Sequence, residues 1–216
     1  MSFPSSPSPV DRLALAVVTE PERALPAPDG AREDAMRHLL QTAAEAGVGL
    51  IATRPDGDGE RLLGQAWPFP SPFRVSARTV SVSEGVDRVE ARARRSLERL
   101  GLPRGDLLLV SSANDLAGAE GRALWDRLCA LKDKGLFRRI GVCAEIDDSP
   151  VALARRLSPD VVQLPCNLLD QRAATEGVIA ALAAQGCAVH VSSVFAGGVL
   201  FADSEGLPHH LNGHAL

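Results

Sequence analysis

The chain has 216 residues, 45% of them apolar and 23% charged, a balance that argues against a disordered or membrane-embedded protein. Its net charge of -4, with 23 basic residues scattered among 27 acidic ones, argues against a nucleic-acid partner, because phosphate binding needs a surplus of Lys and Arg on one face. The length suits one sizeable core, so a single domain is expected.

The start of the chain, "MSFPSSPSPV", lacks the charged residues and apolar run of a secretory leader. No stretch approaches the roughly 20 apolar residues that cross a bilayer. The expectation is a cytoplasmic protein without a membrane partner. Cys129, Cys143, Cys166 and Cys187 form no CxxC pair and read as reduced thiols. The sequence contains no tyrosine.

Residues 1–11, rich in Pro and Ser, predict a flexible N-terminal segment. A regular alternation then begins. "RLALAVVT" (12–19) predicts a strand, and "AREDAMRHLLQTAAEAG" a helix with Met36, Leu39, Leu40 and Ala43 on one face, Asp29 as N-cap and Gly47 as stop. "VGLIAT" (48–53) is a second strand, "ERLLGQAW" a short helix and "FRVSARTV" (73–80) a third strand. Val86, Val89, Ala93, Leu97 and Leu100 mark a helix that Ser83 caps and Gly101 ends.

"DLLLVSSAND" (106–115) opens with an apolar run and closes on two hydroxyls, an amide and a carboxylate. It reads as a buried strand whose exit is either part of a site or a departure from the core. Leu124, Leu128 and Leu131 define the next helix, closed by Gly135. "RRIGVC" (138–143) is a fifth strand; "SPVALARRL" is a helix with Ser149 at the N-cap and Pro150 in its first turn. "DVVQLP" (160–165), "TEGVIAALAAQG" and "CAVHVSSV" (187–194) continue as strand, helix and strand.

Strands alternating with helices over short links predict a parallel sheet covered by helices. No strand is followed by the GxGxxG turn of a dinucleotide-binding doubly wound domain, so a TIM-type (β/α)8 barrel is preferred. Only seven strands are recognisable, which predicts an incomplete barrel over 12–201 followed by a polar, His-containing tail at 202–216.

In order and spacing, "ARRSLERLGLPRGDLLLV", "LWDRLCALKDKGLFRRIGVC", "SPDVVQLPCNLLDQR" and "CAVHVSSVFAGGVLF" resemble the aldo-keto reductase superfamily, and "GVGLIATRPDGDGERLLGQA" is similar to its second-strand segment. The resemblance implies a (β/α)8 barrel that reduces carbonyls with NADPH or NADH and no metal. Such chemistry needs a positioned acid to protonate the carbonyl oxygen as hydride reaches the carbon. The family uses a tyrosine, a lysine, an aspartate and a histidine. Those positions match Asp56, Arg78, Ala52 and Ser111 here, so no catalytic residue is expected.

Arg78 stays charged and offers no tunable proton, and Asp56 lies in an acidic "DGDGE" turn read as solvated. Of the family's cofactor contacts, the resemblance leaves Gln163, the nearby Asn167 and Ser192 as weak candidates. Cys143 and Ala144 stand at its Ser-Asn pair. NADP(H) or NAD(H) binding stays open, and no cofactor is firmly expected.

Simpler readings compete with each sharp one. Cys143 and Cys166 at neighbouring strand ends suggest a thiol pair or metal site, or small apolar fillers. His209, His210 and His214 form an HHxxxH cluster in the tail, without a Cys or Glu at ligand spacing, so no metal is expected. His190 reads as a packed core histidine, and Ser111 to Asp115 as a nucleophile group lacks a His partner. The function implied is a non-catalytic regulatory or binding protein, in the manner of the KidO-like division regulators. The alternative is an NAD(P)H-dependent oxidoreductase with a rebuilt site. An open barrel edge would invite a protein partner or a second copy.

Overall fold

The computed structural model describes residues 12–17, 30–68 and 71–201. The expected lead-in at 1–11, the cap at Asp29 and the tail with His209, His210 and His214 lie outside the described residues. The chain forms two compact units, Met1–Ile140 and Gly141–Leu216.

The first unit carries β1 (Ala14–Val17), α1 (Ala31–Glu45), β2 (Leu50–Thr53), α2 (Gly59–Ala66), β3 (Arg74–Arg78), α3 (Val86–Leu100), β4 (Gly105–Val110) and α4 (Gly118–Asp133). β5 (Phe137–Cys143) begins in this unit and ends in the second, which continues with α5 (Pro150–Leu157), β6 (Val161–Pro165), α6 (Arg172–Thr175), α7 (Val178–Ala184) and β7 (Ala188–Ser192). Within the first unit the strands pair in chain order, and β1 with β2, β2 with β3 and β3 with β4 run parallel. Within the second, β5 with β6 and β6 with β7 do the same. Strand followed by helix, with parallel pairing of successive strands, is the succession expected of a (β/α) barrel.

β4 is buried at all six positions, and Leu107 to Val110 are each no more than 1% exposed. A parallel strand covered on both faces reads as a continuous apolar run, and each such side chain contributes ~1.5–3 kcal/mol by leaving water. α1 buries Met36, Leu40 and Ala43, spaced four and three residues apart. Leu39, expected on that face, is 42% exposed, because it sits on the shoulder of the stripe. Gly47 takes the positive φ that ends the helix, with the Val48 amide donating to the Ala43 carbonyl.

α2 and α3 cross with their backbones in contact. A Cβ on Gly64 would lie 2.0 Å from the Arg99 carbonyl oxygen, so only glycine allows so close an approach. Trp67 Nε1 donates to the Leu100 carbonyl at 2.8 Å, tying the two C-terminal ends together and satisfying a helix-end acceptor.

Several local expectations change. Ser83 lies inside a 3₁₀ turn, Val82–Glu84, whose cap is Ser81, and α3 starts after Gly85 with no side-chain cap. Ser149 precedes α5 with φ 54 and gives no side-chain cap; its carbonyl instead accepts from the Ala152 and Leu153 amides. The helix expected from "TEGVIAALAAQG" begins only at Val178, after Gly177 with its φ of 73, and the short α6 ends before it at Thr175. His190 is half-buried on a strand with no fully buried position, so it is not a core histidine. Among the described residues no helix is long and apolar enough to cross a membrane.

Candidate functional site

The C-terminal ends of β2, β3 and β4 converge on a cavity of about 470 Å³ in the first unit. It is lined by Arg54, Pro55, Asp56, Arg78, Thr79, Val80, Ser81, Glu84, Arg92 and Ser111. Three of the four positions singled out from the sequence, Asp56, Arg78 and Ser111, are therefore brought together. Ala52 is not among the lining residues; it lies within β2, half-buried, in register with Ala16 on one side and Ser76 on the other.

The segment that leaves β4 is held by its own polar groups. The Ser111 amide donates to Thr79 Oγ1 at 3.2 Å, and its hydroxyl donates to the Thr79 carbonyl. Ser112 caps the 3₁₀ turn Ala113–Leu116 by accepting from the Asn114 amide. Asp115, 9% exposed, accepts from Ser81 Oγ at 2.9 Å and from the Val82 amide at 3.2 Å. The hydroxyls and the carboxylate thus fasten the exit of β4 to the exit of β3, and they do not assemble a nucleophile group.

The loop between β2 and α2 is fastened from two sides. Arg32 on α1 grips Asp58 with two bonds of 2.9 and 3.2 Å. Arg92 and Arg99 on α3 both donate to the Pro55 carbonyl, at 2.9 and 3.5 Å. Asp56, between these anchors, is exposed.

The "DGDGE" stretch is solvated only in part, which corrects the expectation: its last residue, Glu60, is 1% exposed. The α2–α3 crossing at Gly64 presses Glu60, one turn earlier, against α3. Arg99 Nη1 stands 3.7 Å from Glu60 Oε2, an ion pair without a hydrogen bond, and neither carboxylate oxygen has a hydrogen-bond partner. Burial pushes the Glu60 carboxyl up; the Ser96 hydroxyl and the Arg99 and Arg92 charges pull it down, but burial prevails.

Arg54, Arg92 and Glu60 escaped the sequence reading. The signal available for Arg92 was its spacing from Ser96 and Arg99, four and three residues along a helix, which places the three on one stripe. Nothing in the local pattern marked Glu60, since its burial comes from a long-range helix crossing.

In the second unit, the candidate cofactor residues are spent locally. Cys143 Sγ donates to Gln163 Oε1 at 3.3 Å. Asn167 Oδ1 accepts from the Leu169 and Asp170 amides, both at 2.9 Å, closing the turn after β6. Ser192 ends β7 half-buried, and its carbonyl accepts from the Cys166 amide at 3.1 Å. Both amide oxygens accept local hydrogen bonds, and Ser192 offers no aromatic face on which a nicotinamide could stack. Cys143 and Cys166 are both half-buried, and among the described residues no group of three or more His, Cys, Asp and Glu is placed to hold a metal ion. On the surface of this unit Arg172 donates to Asp170 at 2.8 and 3.0 Å and holds that carboxyl at about 2.

The Aldo/keto reductase family model matches residues 29–215. The chain belongs to this family. A Mycolicibacterium smegmatis aldo-keto reductase is 33% identical over 147 residues, which cover 63% of this chain and 50% of that protein. The chain thus spans about half the length of this relative. An aldo-keto reductase homologue from Pseudomonas aeruginosa shares the fold with a TM-score of 0.65 at 24% identity, covering 83% of this chain and 72% of the other. The Bombyx mori aldo-keto reductase, solved in complex with NADP, gives 0.64 at 21% identity, covering 84% and 62%. The fold is the aldo-keto reductase (β/α) barrel, with seven strands among the described residues.

Proposed function

We propose that this aldo-keto reductase family member does not reduce carbonyls and acts by binding a ligand or partner in a regulatory role. The observation that carries the reading is the lining of the cavity at the ends of β2, β3 and β4. Asp56, Arg78 and Ser111 stand there at the positions matched to the family's tyrosine, lysine and histidine, and the sequence holds no tyrosine anywhere.

Carbonyl reduction requires a group that gives up a proton as hydride arrives. The Ser111 hydroxyl proton is directed to the Thr79 carbonyl, Asp56 is exposed, and Arg78 puts a guanidinium where the family has a lysine ammonium. None of the three meets the requirement.

The alternative, an NAD(P)H-dependent oxidoreductase with a rebuilt site, draws support from family membership and from the NADP complex of the Bombyx mori relative. Titrating NADPH and NADH by fluorescence, with small aldehydes as substrates, separates the two. The expected result is no aldehyde-dependent oxidation of either cofactor; tight binding with turnover would overturn the non-catalytic reading.

A further inference from the structure

We propose that the cavity at the ends of β2, β3 and β4 is a binding site for a small oxyanion-bearing molecule, one presenting a carboxylate or phosphate group. The proposal rests on the binding reading above and names the chemistry that the site would recognise.

The charge around the cavity is unequal. Three guanidiniums, Arg54, Arg78 and Arg92, face two carboxylates, Asp56 and Glu84, and Glu84 is already answered from outside the cavity by Arg88 Nε at 2.6 Å. With Arg88 and the buried Glu60 on which Arg92 acts both counted, four guanidiniums face three carboxylates, a surplus of positive charge around a concave space of about 470 Å³, a volume suited to a small molecule.

The strongest donors in the wall of this space are the guanidiniums. The Ser111 hydroxyl donates to the Thr79 carbonyl, and the Ser81 hydroxyl donates to Asp115. Two of the three hydroxyl protons in the wall are therefore committed, which leaves little for a neutral polyol. An oxyanion seeks the forked N–H groups of arginine, which match carboxylate and phosphate oxygens two at a time.

Arg92 is held in advance. It donates to the Pro55 carbonyl at 2.9 Å, and its charge acts on the buried Glu60 carboxyl. The bond to Pro55 takes one of its five N–H donors. A guanidinium fixed before the ligand arrives loses less rotamer freedom on binding. Arg54 leaves the end of β2 exposed, where its side chain can close over a ligand.

The test is calorimetric titration of the full chain at low ionic strength with inorganic phosphate and, separately, succinate. Saturable binding of one ligand per chain is expected for at least one of them: phosphate alone would identify a phosphoryl ligand, succinate alone a carboxylate. Arg54→Ala and Arg78→Gln should each weaken binding by about tenfold or more. Arg104→Ala, at the opposite ends of the strands beside Leu102 and Gly105, should change it by less than about twofold, because exposed charges at that distance are screened.

Absence of saturable binding by both anions would overturn the proposal. So would undiminished binding by both cavity variants, or an equal loss in Arg104→Ala, which would show diffuse attraction. Arg54 is exposed, so its variant stays informative should Arg78→Gln fail to fold. Aldehyde turnover with NADPH would remove the non-catalytic reading but would leave the anion titrations to decide this one.

Discussion

β4 is buried at all six of its positions and hands Ser111 to a cavity with three arginines in its wall, whereas β7 is fully buried at none of its five and ends on Ser192. Around the end of β4, polar groups are tied to one another across the ends of β3 and β4 and still leave a charged concavity. Around the ends of β5, β6 and β7, they satisfy their neighbours: Cys143 meets Gln163, and Asn167 closes its own turn. A strand end becomes a candidate site when a rigid strand below it places charged side chains around a concave space.

The largest test of this contrast is in the strands themselves. Leu109→Ala in β4 removes a side chain that is 1% exposed and should cost about 2–5 kcal/mol through lost transfer energy and a residual cavity. Val191→Ala in β7, where the side chain is 44% exposed, should stay within about 0.5 kcal/mol. Urea unfolding of the two variants measures both. Equal losses would mean that β7 is as firmly packed as β4, and the contrast would fail.

A smaller effect is expected at the junction of β3 and β4. Asp115→Ala strips the acceptor from the Ser81 hydroxyl and the Val82 amide and should cost about 1–3 kcal/mol, as buried donors left unsatisfied do. If Asp115 instead served chemistry at the cavity, stability would be nearly unchanged while binding fell. Thermal and chemical unfolding, followed alongside anion titration, distinguishes these outcomes.

The strand-and-helix alternation was legible because local periodicity and stop residues carry it. Gly47, Gly101 and Gly135 each take the positive φ that a helix end requires, and the run Leu107 to Val110 could only be buried. The position of the site was legible through a resemblance, since strand ends can be aligned. The hidden features depend on contacts far along the chain. Glu60 looks like part of an acidic turn, and only the approach of α2 to α3, where Gly64 meets Arg99, puts it in the interior. Leu39 departs for a related reason: a helical stripe is narrower than the set of apolar residues near it. The start of α7 only after Gly177 shows a single glycine overriding favourable alanine-rich flanks.

The smallest and most pH-dependent test concerns Glu60, which joins the cavity wall to the α2–α3 packing through Arg92. Its carboxyl is pushed up by burial, so the folded chain binds this proton more tightly than the unfolded chain. The stability linked to it is fully present below the unfolded value of 4.5 and is lost as pH rises through the folded one. Glu60→Gln keeps a neutral group of the same shape at every pH. The variant and the parent should therefore unfold alike in acid and separate as pH rises, with the variant the more stable at the alkaline end. Urea midpoints across that interval give the comparison directly. A parent more stable than the variant at the alkaline end would show that attraction to Arg99 and Arg92 outweighs the cost of burial. Arg92 would then be held in the cavity wall by attraction to a buried carboxylate as well as by its bond to the Pro55 carbonyl.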